Sequence, residues 1–143
     1  MPARTIPRLI AILALMISVI VPLHAVADET QKPAITSTIQ GQIDAFLADD
    51  FDRAFTYASP MIKNLFGNAR NFGAMVRQGY PMVHRPSDLK FLDLRRENGR
   101  LVQKVQVRDA AGRTHLLDYS MIKTDAGWQI NGVQLLKNTG LSA

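Results

Sequence analysis

The chain has 143 residues, 47% of them hydrophobic and 20% charged, with seventeen basic against twelve acidic side chains and no cysteine. Without cysteine there is no disulfide framework, so packing alone must hold the fold. The basic residues are scattered singly, with only Arg95-Arg96 adjacent. A phosphate-tracking surface needs a clustered stripe, so nucleic acid is excluded as a partner.

In chain order, the first element is an export signal. MPARTIPR carries Arg4 and Arg8 and no acid, Leu9 to Val21 runs without a charge, and Ala25-Val26-Ala27 presents the small residues that signal peptidase accepts. A spanning helix needs about 20 apolar residues. This run is shorter, with Pro7 and Pro22 on its flanks, so no membrane span is expected after processing. Arg4 and Arg8 are not adjacent, which argues against twin-arginine export, and the missing cysteine excludes a lipoprotein anchor. Cleavage between Ala27 and Asp28 defines a signal peptide over 1–27 and leaves 116 of the 143 residues as a periplasmic or secreted chain. Loss of Arg4 and Arg8 leaves fifteen bases against twelve acids, a net charge of +3, which supports only a weak preference for anionic partners.

Residues 28–34 are polar, contain Pro33, and read as a flexible lead-in to a single domain over 35–138, with a tail at 139–143. Ile35, Ile39, Ile43, Phe46 and Leu47 recur at helical spacing and predict an amphipathic helix. Asp49-Asp50 interrupts it as a capping, solvated junction to a second helix with Phe51, Ala54, Phe55 and Ala58 on one side. Ser59-Pro60 starts a third, short helix that Gly67 closes. Asn68 caps a fourth over about 69–78, with Phe72, Met75 and Val76 inward and Gly79 as a left-handed terminator. The stretch RQGYPMVHRP, Arg77 to Pro86, then reads as a stiff corner, with Pro81 and Pro86 fixing torsions, Tyr80, Met82 and Val83 packed beneath, and His84-Arg85 projecting at the edge.

Beyond Pro86 the period changes to two. Leu89 to Arg95, Leu101 to Asp109, His115 to Thr124 and Trp128 to Leu136 are strand-length, and the Gly-containing separators between them read as hairpin turns. Leu101, Gln103, Val105 and Val107 share one face of the second strand. The third strand is apolar on both faces, with Leu117, Tyr119 and Met121 alternating with Leu116 and Ile122, which suggests a central strand or a second face covered by a partner chain, so a homodimer through the sheet is a further expectation. In the last strand the alternation changes phase at Asn131-Gly132, which predicts a bulge. The fold class is α+β: N-terminal helices packed on a curved antiparallel sheet of about four strands.

The segments "QIDAFLADDFDRAFTYASPMIKNLFG", "FGAMVRQGYPMVHRP", "VQVRDAAGRTHLLDYSM" and "GWQINGVQLL" together resemble a family of exported Gram-negative bacterial proteins, domain of unknown function number 4864. The resemblance covers about Ile35 to Leu136. It implies a cystatin-like or NTF2-like cone, in which helices pack into the concavity of a curved sheet. It brings no assigned catalytic residue, and a shared fold hosts both enzymes and inert binding modules.

The chemistry available is sparse. His84 and His115 are the histidines of the mature chain, no pair stands at metal-ligand spacing, and no dense carboxylate loop occurs, so neither a metal nor another cofactor is expected. GxSxG, HExxH and phosphate-loop patterns are absent, the glycines falling at turns and helix ends. An acid–base site would draw on His84, Tyr80 and Asp118 as catalytic candidates. Ligand or partner contacts would draw on Tyr57, Arg77, Arg85, His115 and Tyr119. Asp118 and Tyr119 are neighbours on a strand and face opposite sides, whereas His115 shares the phase of Tyr119. Asp118 more simply satisfies an arginine, and the phenylalanines at helical spacing are core or the lining of a cavity. The sequence therefore favours an exported binding or structural module without catalysis. A small-molecule isomerase or dehydratase with a His or Asp base and a Tyr donor is one alternative. A module docking anionic envelope components through Arg77, Arg85, Arg95 and Arg96 is another.

Overall fold

A computed structural model describes residues 16–137. Arg4, Arg8 and most of the apolar leader lie outside the described residues, as does the tail at 139–143. Five helices precede four strands: α1 (Leu23–Leu47), α2 (Phe51–Thr56), α3 (Pro60–Phe66), α4 (Ala69–Gly79), α5 (Pro81–His84), β1 (Asp88–Glu97), β2 (Arg100–Arg108), β3 (Thr114–Thr124) and β4 (Gly127–Leu136). The strands form one antiparallel sheet in sequence order, the α+β arrangement expected from helices followed by a meander. No helix among the described residues is long and apolar enough to cross a membrane.

The short helices start where local chemistry dictates. Asp50, Ser59 and Asn68 each accept a hydrogen bond from the amide three residues on, at 3.1, 3.3 and 2.8 Å, covering an otherwise free N–H. Pro60 occupies the first turn of α3, and Gly67, at φ 78°, ends it. The expected left-handed turn at Gly79 is not present. Gly79 is the last residue of α4, the chain breaks at Tyr80 (φ −135°, ψ 53°), and Pro81 opens α5. The stiff corner is thus one further helical turn, for which proline at the first position is well suited.

Two differences from the sequence reading are tertiary in origin. Helix α1 begins at Leu23, so residues 28–34 are helical and Pro33 lies inside the helix. Proline removes one backbone hydrogen bond there, and side-chain anchors to the sheet offset the loss. Asp28 pairs with Arg96, Lys32 Nζ donates to the Leu92 carbonyl at 2.9 Å, and Trp128 Nε1 donates to Gln31 at 3.1 Å. The glycines, moreover, are not confined to turns and helix ends. Gly41 lies within α1 and Gly73 within α4, where a Cβ would come within 2.5 Å of Tyr57 and 2.6 Å of Phe51. Both let an aromatic ring of the α2 region press against a helix backbone.

The core lies between α1 and the inner face of the sheet. Ile35, Ile39, Ile43 and Phe46 from the helix meet Val105, Val107, Leu117 and Met121 from the strands, all buried. Gln103 shares this face, as the alternation requires, and its amide Nε2 donates to the carbonyls of Leu92, Asp93 and Lys104. Those carbonyls stand beside a bulge in β1, between Phe91 and Leu94. The second bulge falls where the phase change at Asn131-Gly132 places it: Met121 pairs with Ile130 and Ser120 with Gly132, leaving Asn131 unpaired. Ser59 Oγ donates to the Asn131 side chain at 2.8 Å, and the chain at Tyr57–Ser59 bonds to both backbone groups of Ile130. The start of α3 is thereby fastened to β4.

Candidate functional site

Beside the point where α3 is fastened to β4, the packing leaves a hollow. Between α3, α4 and the inner face of β3 and β4 lies a cavity of about 370 Å³. Ile62, Phe66, Phe72 and Val76 line its helical wall, Ile130 and Val133 its sheet wall, and Leu65, 70% exposed, stands at the rim. Proteins ordinarily close such space by packing. Here α3 buries none of its residues fully, and the bulge at Asn131 bends β4 beneath it.

The polar groups of the cavity are few and unequal. Gln42 Nε2 donates to the Ala54 carbonyl at 3.2 Å. Tyr80 donates its hydroxyl to the Val133 carbonyl at 3.0 Å. Tyr119 also lines the cavity and is fully buried, but its hydroxyl has no hydrogen-bond partner. Burial, and secondarily the neighbouring Tyr80, push its ionisation well above the ordinary phenol value. The group is therefore a neutral hydroxyl, able to donate. Among the described residues no charged side chain lines the cavity.

The other candidates lie elsewhere, each with a partner. His84 Nε2 is 2.9 Å from Asp49, and Arg85 grips both oxygens of the same carboxylate at 2.7 Å while donating to the Phe46 carbonyl at 2.7 Å. Rather than projecting freely, the pair clamps the turn between α1 and α2, where Asp49 adopts φ 53°. The His84 and Arg85 contacts hold Asp49 below the ordinary carboxylate range. Arg77 stacks on Phe51, 4.3 Å from the ring centroid, and Phe51 in turn lies 5.6 Å from the His84 ring. Tyr57 lies against Gly41, and its side chain near Arg53 raises the guanidinium pKa.

On the sheet's opposite face Asp118 satisfies an arginine, as its simplest reading requires: Arg95 binds its two oxygens at 3.1 and 2.6 Å and also reaches Glu97. Arg96 is committed to Asp28. Arg95, Glu97, Arg100 and Asp118 border a second, polar hollow outside the sheet, in which carboxylates already neutralise Arg95. His115 does share the face of Tyr119, but four residues along the strand, where it bonds Asp109 at 2.8 Å. That bond, with the amides of Arg113 and Ala111, lowers Asp109 to about 2 and locks the β2–β3 turn. Among the described residues no group of three metal-ligating side chains comes together.

Of the eight candidate residues, then, only Tyr80 and Tyr119 meet at the cavity. Sequence reasoning missed Gln42, and it read Asp49 only as a junction. The signal for Gln42 was its spacing, three residues after Ile39 and four before Phe46, which puts it on the buried stripe. For Asp49 there was none, because its partners lie 35 and 36 residues away.

No curated protein and no solved structure matches the chain. A family model does, over residues 28–143, and by that match the chain belongs to the family described as Domain of unknown function (DUF4864).

Proposed function

We propose that this protein is an exported small-molecule-binding module of the cell envelope, a cone-type domain that holds an apolar ligand between α3, α4 and the inner face of the sheet. One observation carries the reading: a cavity of about 370 Å³ whose lining is almost wholly apolar. Ligand sites are largely apolar with a few placed polar groups, and Gln42 and Tyr80 supply such groups here. Binding is favoured over acid–base turnover because His84 and Asp118 lie outside the cavity lining and are held by Asp49 and Arg95. Export is supported by the leader pattern ahead of Asp28. Two boundaries agree with it: the family match starts at Asp28, and so do the side-chain anchors of α1 to the sheet.

The test uses residues 28–143 and N-phenyl-1-naphthylamine, a neutral dye that fluoresces in apolar sites. The wild-type protein should bind it saturably. Ile62→Trp, which places an indole in the space from a half-buried position on α3, should abolish the signal while leaving the circular dichroism spectrum unchanged. Equal fluorescence from the folded Ile62→Trp variant would end the cavity reading.

A further inference from the structure

Resting on that reading, the surface around the cavity rim points to where an apolar ligand comes from. We propose that the α3–α4 face docks on an anionic lipid surface. Met61 and Leu65 enter the interface, Lys63 and Arg70 meet the headgroups, and the ligand passes between bilayer and cavity.

The first observation is apolar exposure. Residues four apart share one side of a helix. In α3, Ile62 and Phe66 line the cavity, whereas Met61 and Leu65 form the adjoining stripe and stand 55% and 70% exposed, with Leu65 at the cavity rim. Large apolar side chains in water beside an apolar opening are unfavourable, and burial at a lipid interface removes that cost.

The second observation is charge. From Arg53 to Ser87 the sequence contains Arg53, Lys63, Arg70, Arg77 and Arg85 but no Asp or Glu. Arg85 is engaged by Asp49, and Arg77 rests on the Phe51 ring. Lys63 in α3 and the exposed Arg70 at the start of α4 form no ion pair among the described residues. Unpaired cations flanking an apolar stripe suit an interface whose phosphates supply the missing anions. A second copy is the poorer occupant. A two-fold contact sets the same patch against itself, which would crowd these cations together with no carboxylate of the acid-free stretch between them.

The experiment uses residues 28–143 and floats the protein with vesicles of phosphatidylcholine, alone or with about one-third phosphatidylglycerol. Only the anionic vesicles should carry it. Binding should weaken as salt rises from about 0.01 M to 0.15 M, which shortens the screening length from about 30 to 8 Å. Lys63→Gln with Arg70→Gln should cost about 25-fold in affinity, roughly fivefold per cation, whereas Lys90→Gln with Arg108→Gln, on the sheet, should cost less than about twofold. The chain has no cysteine, so Met61→Cys and Lys90→Cys each accept one nitrobenzoxadiazole label. The label at 61 should brighten on anionic vesicles, and the label at 90 should not.

Equal binding to neutral vesicles, equal losses from the two charge pairs, or equal response of the two labels would overturn the docking. So would a protein that ignores vesicles but self-associates or captures an acidic protein through Leu65. N-phenyl-1-naphthylamine binding, measured without vesicles, separates the two readings. Dye binding without docking overturns this inference and leaves the cavity, and docking without dye binding supports the surface and removes the ligand.

Discussion

The two halves of the helix–sheet interface are built from the same kinds of residue and finished differently. Under α1 the space is full: Ile35, Ile39 and Ile43 are 0 to 1% exposed against Val105, Val107 and Leu117. Under α3 and α4 it is hollow, with Leu65 left at the rim and Tyr119 unpartnered within. The difference traces to attachment. Helix α1 has 25 residues and is anchored to the sheet by Asp28, Gln31 and Lys32, whereas α3 has seven and is pinned mainly near its first residue, through Ser59. A long helix tied at several points can follow the sheet closely, and a short one tied at its start stands away from it. The apolar pattern is thus necessary for both halves but does not decide which becomes filled.

That comparison is open to attack at each end. The largest effect is expected from Ile39→Ala in the filled half, where truncation leaves a void that neighbours cannot close. Chemical denaturation should show a loss of about 2–5 kcal/mol. If Ile39→Ala costs less than 1 kcal/mol, the filled half is not as tightly built as its burial implies. Leu65→Ala, at the rim of the hollow half, should change stability by no more than about 0.5 kcal/mol, since the side chain is already mostly in water. It should nevertheless alter dye affinity, and a large stability loss there would mean that α3 packs against the sheet after all.

The smallest effect lies away from both halves, at the β2–β3 turn. Asp109 is held at about 2, against an ordinary 3.8, because His115 and two amides bind its ionised form. A depressed carboxylate contributes stability that is complete above the unfolded value and disappears as pH falls through the folded one. Stability should therefore decline between about pH 4 and pH 2, and Asp109→Asn should flatten that decline in thermal melts. Dye binding normalised to the folded fraction should stay constant over the same range, since among the described residues no titrating group lines the cavity other than the two tyrosines. A dye affinity that follows Asp109 would couple the turn to the hollow and erase the distinction between regions.

What could be read from the sequence was whatever neighbours in the chain decide. Asp50, Ser59 and Asn68 cap helices because each reaches an amide three residues away. The four strands and their register follow from alternation and turn chemistry, and the bulge at Asn131 was visible because an inserted residue shifts the alternation by one. The bulge in β1 was not, since Leu92 and Asp93 disturb no clear alternation and their carbonyls find Gln103 and Lys32 across the fold. Gly41 and Gly73 gave no local hint of the rings that rest on them. The site was half legible: Tyr80 and Tyr119 were among the candidates, but nothing in their spacing distinguished a satisfied hydroxyl from an orphan.

The sequence by itself determined the α+β class, the order of helices and strands and the residues that face inward, because periodicity and capping act over a few residues. Only the tertiary structure decided that α1 continues through Pro33, that His84 and Arg85 close on Asp49, and that α3 stands off the sheet to leave a cavity beside Tyr119. Each of these depends on groups tens of residues apart arriving at one place, and a linear pattern carries no record of that distance.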